Sequence, residues 1–533
     1  MTRRREFLRA LAATGLGLAA GTIRGKAGAR RPNLLLILAD DLGFSDIGCY
    51  GGEIPTPPAA SASRWGVRFG RFLNAARCCP AHASLLTGQW PHQTGIGHMA
   101  SNAAWSSVHF INAWYAGDLR PDTLTLAEAL RAAGYGTYCV GKWHVTRHIN
   151  PAEKGFSKAN WPCSRGFDHY YGKLRGADDY FRTEELVRDN DFLPGGKAFD
   201  PNHYFTRACA DEAIAFLRHH RKERPGDPFF LYLAFTAPHL PLQAPQETIA
   251  HHRGRYDAGY EAIRDARLAK QKRLGLIPDD TPPPPLPIAW DGVRRKAFEA
   301  RCMEVYAAMV EEMDAAIGNV VAELRAHGSL DDTLILFLSD NGACAEATGR
   351  RPDAPLPGGP GTRCGYGKGW AAVSNTPFRE YKHWVHEGGI ATPCIAHWPA
   401  ALPPRADWVW EPCHLVDIMA TLPDLTGCPL PRRVPPCEGV SLLPLLTGHS
   451  PLPRKHPLLF EHEGNRALVE GRWKLVAKGP KGRWELYDLA TDRNELHNLA
   501  DSHPERLRRM VATWEAEAHR THILPSPFLK GAH

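Results

Sequence analysis

Two short segments far apart in the chain, Asp40-Asp41 and Ser339-Asp340-Asn341-Gly342, carry four hard oxygen ligands. Three carboxylates and one amide oxygen suit calcium, with magnesium second, and give zinc little to prefer. Two further segments, Gly141-Lys142-Trp143-His144 and Pro238-His239, carry cationic and proton-moving side chains. All four come just after a short apolar run, at residues 34–39, 137–140, 229–235 and 334–338. Apolar runs of that length, ended abruptly by polar residues, read as fully buried parallel strands. In sheets of this kind ligands bind beyond the carboxyl ends of the strands, where all four segments fall. Read singly, an Asp-Asp or Asp-Asn-Gly makes an ordinary turn or cap. Their shared placement argues for one composite site.

Helical patterns lie between the runs. Thr125-x-x-Glu128 forms a capping box opening a helix that Gly134 closes. Residues 298–324 carry a helical apolar period through Val305, Met309, Met313, Ile317 and Val320. The alternation predicts an α/β fold, a large mostly parallel sheet flanked by helices on both faces. Residues 251–290 are charged and run into Pro282-Pro283-Pro284-Pro285, which reads as a surface excursion ending in a stiff connector. A second proline-rich stretch, Pro429 to Pro436, leads into a smaller α+β unit. There, residues 466–469, 473–476 and 484–488 read as short strands, and 504–519 as a helix with Leu507, Met510, Val511 and Trp514 on its apolar face.

With 533 residues, 43% hydrophobic and 23% charged, the chain is globular and long enough for a large core with a smaller companion. A net charge of +7 spread along that length, with no basic-aromatic module, argues against nucleic acid as a partner. The N-terminus reads as an export signal. Arg3-Arg4-Arg5-Glu6-Phe7-Leu8-Arg9 has the twin-arginine pattern, an apolar run covers residues 10–20, and Ala27-Gly28-Ala29 offers a cleavage site. That run is too short to span a bilayer, and no later segment reads as a transmembrane anchor. The expected location is periplasmic or extracellular, in a bacterium, reached through the twin-arginine export machinery. Thirteen cysteines without a Cys-x-x-Cys pair indicate no zinc cluster. A disulfide among Cys413, Cys428 and Cys437 is left open, whereas Cys139 and Cys394, inside apolar runs, read as buried thiols.

Residues 78–88, Cys78-Cys79-Pro80-Ala81-His82-Ala83-Ser84-Leu85-Leu86-Thr87-Gly88, resemble the sulfatase signature. That signature has proline two residues after the cysteine, arginine four after it, and Thr-Gly nine and ten after it. Arg31-Pro32-Asn33, Asp40-Asp41, Gly141-Lys142-Trp143-His144, Pro238-His239, Ser339-Asp340-Asn341-Gly342, Lys382 with Glu387-Gly388-Gly389, Trp473-Lys474-Leu475 and Glu485-Leu486-Tyr487-Asp488 follow in the family's order. The resemblance implies an alkaline-phosphatase-like fold and hydrolysis of a sulfate ester, from an aryl sulfate or a sulfated carbohydrate. It implies oxidation of Cys78 to formylglycine by a formylglycine-generating enzyme, the hydrated aldehyde serving as nucleophile. Asp40, Asp41, Asp340 and Asn341, with Cys78, would hold calcium. Lys142, His144, His239 and Lys382 would bind sulfate and move protons, His239 toward the leaving alcohol and His144 from the nucleophile. The implied organisation is an export signal at 1–29, a catalytic domain at 30–436 and a C-terminal subdomain at 437–533.

His82 stands where the family has arginine. Histidine is shorter, donates less and is neutral more readily than a guanidinium. His82 thus leaves open a poorly matured or non-catalytic binder of sulfated glycans; separately, the resemblance leaves open a phosphonate or phosphodiester hydrolase, since superfamily relatives use the same modified cysteine. Cys79 reads as filler. His92, His98 and the Trp384/His386 pair read as lining the mouth of the site or supporting the metal ligands. The loop 160–179, with Arg165-Gly166-Phe167-Asp168, is the expected source of substrate preference.

Overall fold

The computed structural model describes residues 31–57, 66–100, 112–183, 185–193, 203–402, 407–431 and 435–529. The twin-arginine segment and its cleavage site lie outside the described residues, as do residues 432–434 of the second proline-rich stretch.

Each of the four apolar runs is a strand. The main sheet contains β1 (Asn33–Ala39), β2 (Val67–Leu73), β3 (Gly136–Lys142), β4 (His169–Lys173), β5 (Leu186–Arg188), β6 (Asp191–Phe192), β7 (Phe229–Ala234), β8 (Thr333–Ser339), β9 (Ala391–His397), β10 (Trp408–Val409) and β11 (Cys413–His414). Their order is β10-β2-β9-β8-β1-β7-β3-β4-β5-β6, with β11 also on β2. From β8 to β4 every neighbouring pair is parallel. Antiparallel pairs appear toward the edges, where β9 meets β8 and β2 and where β5 meets β4 and β6.

Side chains of β1 alternate between two cores, Leu35, Ile37 and Ala39 on one face and Leu34, Leu36 and Leu38 on the other. Both faces are therefore dry, and each fully buried leucine contributes about 1.5–3 kcal/mol. Helices α1 (Cys78–Thr87) and α2 (Leu126–Ala132) cover the second face. On the first lie α3 (Phe205–Glu223), α4 (Gly259–Arg273) and α5 (Lys296–Ala326). The capping box opens α2: Thr125 Oγ1 accepts from the Glu128 amide at 3.1 Å, and Glu128 Oε2 accepts from the Thr125 amide at 2.8 Å. All five periodic apolar residues of α5 are buried.

Residues 251–290 are mostly exposed or half-buried, as expected from their charge, with one charged exception buried inside a helix. They carry α4, whose Arg267 is fully buried and ion-paired with Asp46 at 2.6 Å and Glu53 at 2.8 Å. Charge misled there because the cation is matched by two carboxylates inside the protein.

The C-terminal part is an antiparallel sheet of β12 (Leu458–His462), β13 (Asn465–Glu470), β14 (Trp473–Ala477) and β15 (Trp484–Asp488), packed by α6 (Pro504–Arg520) through Met510, Trp514 and Ala518. Strand β12 was not anticipated. This sheet is tied to the larger one by buried charge. Lys474 pairs with Glu387 at 3.0 Å and Glu495 at 2.8 Å, and Arg493 reaches Glu387 at 3.1 Å. Cys413, Cys428 and Cys437 carry free thiols, and Cys139 and Cys394 are buried. Among the described residues no helix is long and apolar enough to cross a membrane.

Candidate active site

The carboxyl ends of β8, β1, β7 and β3 lie level. Ala39 pairs with Ser339, Leu38 with Ala234, and Gly141 with Ala234. The polar residues after these strands are thereby delivered to one sheet edge. Glycine is required twice in this packing. A Cβ on Gly141 would lie 1.9 Å from the Ala234 carbonyl oxygen, and one on Gly342 1.9 Å from that of Gly388. Asp41 and His144 adopt left-handed backbone angles, φ 66° and 59°. Such conformations in non-glycine residues cost on the order of 1–3 kcal/mol each and cluster at functional sites.

Asp40, Asp41, Asp340 and Asn341 come together, all at most 1% exposed. Asn341 Nδ2 donates to Asp41 Oδ1 at 2.6 Å, and the Asp41 amide donates to Asp340 Oδ1 at 3.1 Å. One oxygen of each of the four residues (Asp40 Oδ1, Asp41 Oδ2, Asp340 Oδ2 and Asn341 Oδ1) is buried without any hydrogen bond. Buried acceptors are normally satisfied, so four such oxygens at one place fit a hard divalent cation. Burial, followed by the charge of Asp40, pushes the Asp340 carboxyl well above its ordinary value. A cation would relieve that. For Asp41 burial acts upward, but His239 and Lys382 outweigh it and hold the group at about 2.

Two lysines complete the charge pattern. Lys142 Nζ lies 2.6 Å from Asp40 Oδ2, and Lys382 Nζ lies 2.6 Å from Asp41 Oδ1. Burial opposes both ammonium charges, yet Asp40 and Asp41 respectively outweigh it and raise each pKa.

Cys78 is the first residue of α1, where the helix end favours negative charge. Its sulfur, that of Cys79 and a His144 ring nitrogen all lie within 4.8 Å of one another. A hydrogen bond from Cys79 draws the Cys78 thiol well below its ordinary value, assisted by Lys142, Lys382 and His144 against the effect of burial. Burial, then Lys142, lowers the His144 pKa, leaving a neutral ring able to accept a proton. His239 Nδ1 donates to the Leu240 carbonyl at 2.6 Å, and its Nε2 faces Asp41 Oδ2 at 3.3 Å. A carbonyl can only accept, so the proton sits on Nδ1.

His82 is 1% exposed, hydrogen-bonded to the Tyr232 hydroxyl at 3.0 Å and 3.8 Å from Asp340 Oδ2. Burial, with Lys142 and His144, holds its pKa well below 6.5. Arg77, the residue before Cys78, escaped sequence reasoning. It donates to Glu346 Oε1 at 3.1 Å, and Cys78 and Glu346 outweigh burial to keep it charged. Its position beside the cysteine was the available signal.

Other expected residues lie elsewhere. His92 meets Glu461 at 3.0 Å, His98 meets Glu463 at 2.6 Å, His386 meets Glu485 at 3.5 Å, and Trp384 packs under Lys478. These contacts do not support the strand-end carboxylates. Arg165 braces α2 instead of facing a substrate, donating to Asn160, Glu128 and the Thr123 carbonyl. Its guanidinium is consumed by protein partners. Further along that loop, Gly176 does approach the His144 ring.

The sulfatase family model matches residues 32–428, and that of the N-sulphoglucosamine sulphohydrolase C-terminal region matches 379–517. An uncharacterized sulfatase of Schizosaccharomyces pombe is 35% identical, covering 94% of this chain and 96% of the relative. An arylsulfatase of Klebsiella aerogenes is also 35% identical, covering 68% of this chain and 80% of the relative. Among solved structures, Ps i-CgsB in complex with k-i-k-neocarrahexaose superposes with a TM-score of 0.67 at 24% identity, over 94% of this chain and 96% of that one. This last likeness shows the fold.

Proposed function

The chain belongs to the sulfatase family, and on that premise we propose that it hydrolyses an aryl sulfate or a sulfated carbohydrate using a formylglycine formed from Cys78 and a bound calcium ion. The arylsulfatase relative supports the aryl class. Formylglycine supplies, as its hydrate, the nucleophile. Asp40, Asp41, Asp340 and Asn341 would hold the cation, which neutralises charge on the sulfate.

The side chains around Cys78 do the rest. Lys142 and Lys382 stay charged in a buried site and attract sulfate oxygens, where negative charge builds as the ester bond breaks. His239, its ring fixed by the bond from Nδ1 to Leu240, gives the leaving alcohol a proton from Nε2 when the ring carries one on each nitrogen. His144, neutral and beside Cys78, takes a proton from the nucleophile. Burial of the whole group keeps water from screening these charges. The partners we assign are a formylglycine-generating enzyme, on the residues around Cys78, and the twin-arginine machinery, on residues 3–29. The location is periplasmic or extracellular.

One observation carries the reading: four unpartnered buried oxygens and two lysines surround a cysteine at a helix start. The test is expression with a formylglycine-generating enzyme, the mass of the Cys78 peptide, and turnover of an aryl sulfate against an aryl phosphodiester. Loss of sulfur from the peptide together with preference for the sulfate is expected. Turnover by enzyme whose Cys78 is unmodified overturns the formylglycine step, and preference for the phosphodiester overturns the sulfate ester.

Neutral His82 favours a second reading, a sulfated-glycan binder without turnover. It predicts saturable glycan binding with no release of sulfate.

A further inference from the structure

Besides the strand-end residues, three segments bring His98, His383 and the adjacent pair His462-Glu463 together. Ligand atoms of His383, His462 and Glu463 all lie within 4.8 Å of one another. Around Glu463, His98 Nε2 stands 2.6 Å from Oε1, His462 Nε2 3.9 Å from Oε1, and His383 Nδ1 3.4 Å from Oε2. The rings frame the carboxylate: His98 and His462 stack at 5.7 Å, and His383 crosses His462 edge-on at 5.3 Å.

His462 sets this group apart from an ordinary hydrogen-bonded cluster. Its side chain is 0% exposed, and neither ring nitrogen makes a hydrogen bond. A buried imidazole without partners forfeits its hydrogen-bonding free energy unless something else engages a nitrogen. Burial keeps that ring neutral, the form that ligates metal. The backbone is also held in an uncommon state, with His383 at φ 89° and Glu463 at φ 52°.

We propose that His383, His462 and Glu463, with His98 orienting the carboxylate, form a second metal site that takes a divalent transition ion, zinc foremost. Two or three imidazoles with one carboxylate form a donor set for zinc, whereas the all-oxygen set at the strand ends suits calcium. With bonds of about 2.0–2.1 Å, tetrahedral zinc places its ligands roughly 3.4 Å apart, so no pair need close by more than about 1.4 Å on binding. His383 and Glu463, 30% and 33% exposed, give the ion a route from solvent. Bound there, the ion joins the turn between β12 and β13 to the segment after Lys382. The His383 amide donates to the Ala76 carbonyl at 2.9 Å, just before Arg77 and Cys78. The ion therefore braces the approach to the nucleophile from the C-terminal sheet. This inference goes beyond the proposed activity and stands without it.

The test uses the full chain without a histidine tag, stripped of metal and then saturated with calcium. ZnCl2 is titrated by calorimetry and CoCl2 by visible absorption. One zinc per chain is expected to bind in the presence of calcium. His462→Ala and His383→Gln each abolish this uptake, and His98→Ala weakens it about 10–100-fold, as loss of an outer-shell partner does. Uptake persists in Cys78→Ser, which separates this site from the Cys78, Cys79 and His144 group. His383 is partly exposed, so the His383→Gln variant retains its fold, checked by thermal melting. Absence of saturable zinc uptake, or uptake that survives His383→Gln and disappears in Cys78→Ser, overturns the proposal.

Discussion

The hydroxyl of Tyr232 is hydrogen-bonded to Nδ1 of His82 at 3.0 Å, which turns the other ring nitrogen toward Asp340, 3.8 Å away. The imidazole is satisfied as a neutral group and brings no charge to a site crowded with carboxylates. Arginine at this position would add a cation beside Asp340. His82→Arg is therefore expected to raise both the formylglycine fraction at Cys78 and the aryl sulfate turnover, by about tenfold if one charged donor is gained. Peptide mass and kcat measured on the same preparation check this; no change in either shows that His82 is equivalent to arginine here.

Lys382 and Asp41 form a buried pair at 2.6 Å. Lys382→Ala removes the cation that the proposed function assigns to sulfate, and strands a carboxylate. Turnover is expected to fall about 10²–10³-fold, and stability by about 3–5 kcal/mol, because a buried charge loses its partner. Steady-state kinetics and denaturant unfolding read the two effects separately.

Calcium should stabilise the fold through the four unpartnered oxygens. At a hundredfold excess over its dissociation constant the gain is about 2.7 kcal/mol, visible as a rise in melting temperature on adding calcium to chelated protein. Asp340→Asn is expected to melt higher than the parent when both are metal-free, since it relieves carboxylate crowding, and to lose most of the calcium-dependent rise. A parent protein whose melting ignores both chelator and calcium contradicts the site.

Acid should loosen the junction between the two sheets. Glu387 has its carboxyl lowered to about 2, burial being outweighed by Lys474, Arg493 and Arg71. Its stabilisation is complete above the ordinary value of 4.5 and is lost as pH falls through about 2. Glu387→Gln is expected to lower stability at pH 7 and to flatten the dependence of stability on pH between about 4.5 and 2. Urea midpoints across that range measure it.

The parallel core was legible because its strands are apolar on both faces and end in abrupt polar segments, as at residues 34–41. The capping box at Thr125 and the long period of α5 were equally plain, being local. What escaped notice depends on partners distant in sequence. Arg267 looked like surface until Asp46 and Glu53 met it inside. Arg165 looked available for a substrate until Asn160, Glu128 and Thr123 claimed its donors. Cysteine spacing gave no hint of the His98, His383, His462 and Glu463 group, because three segments with no common motif supply it.

Cys78 is only 1% exposed, beneath side chains contributed by segments as late as Lys382. If Cys78 is oxidised as proposed, a macromolecular catalyst cannot reach its sulfur once the sheet has closed. Conversion of Cys78 would then be a race between the modifying enzyme and the folding of the chain itself. Slower synthesis of the C-terminal third lengthens the time available, and faster folding shortens it. The yield of competent protein is then set by timing during biosynthesis as much as by the architecture of the finished molecule.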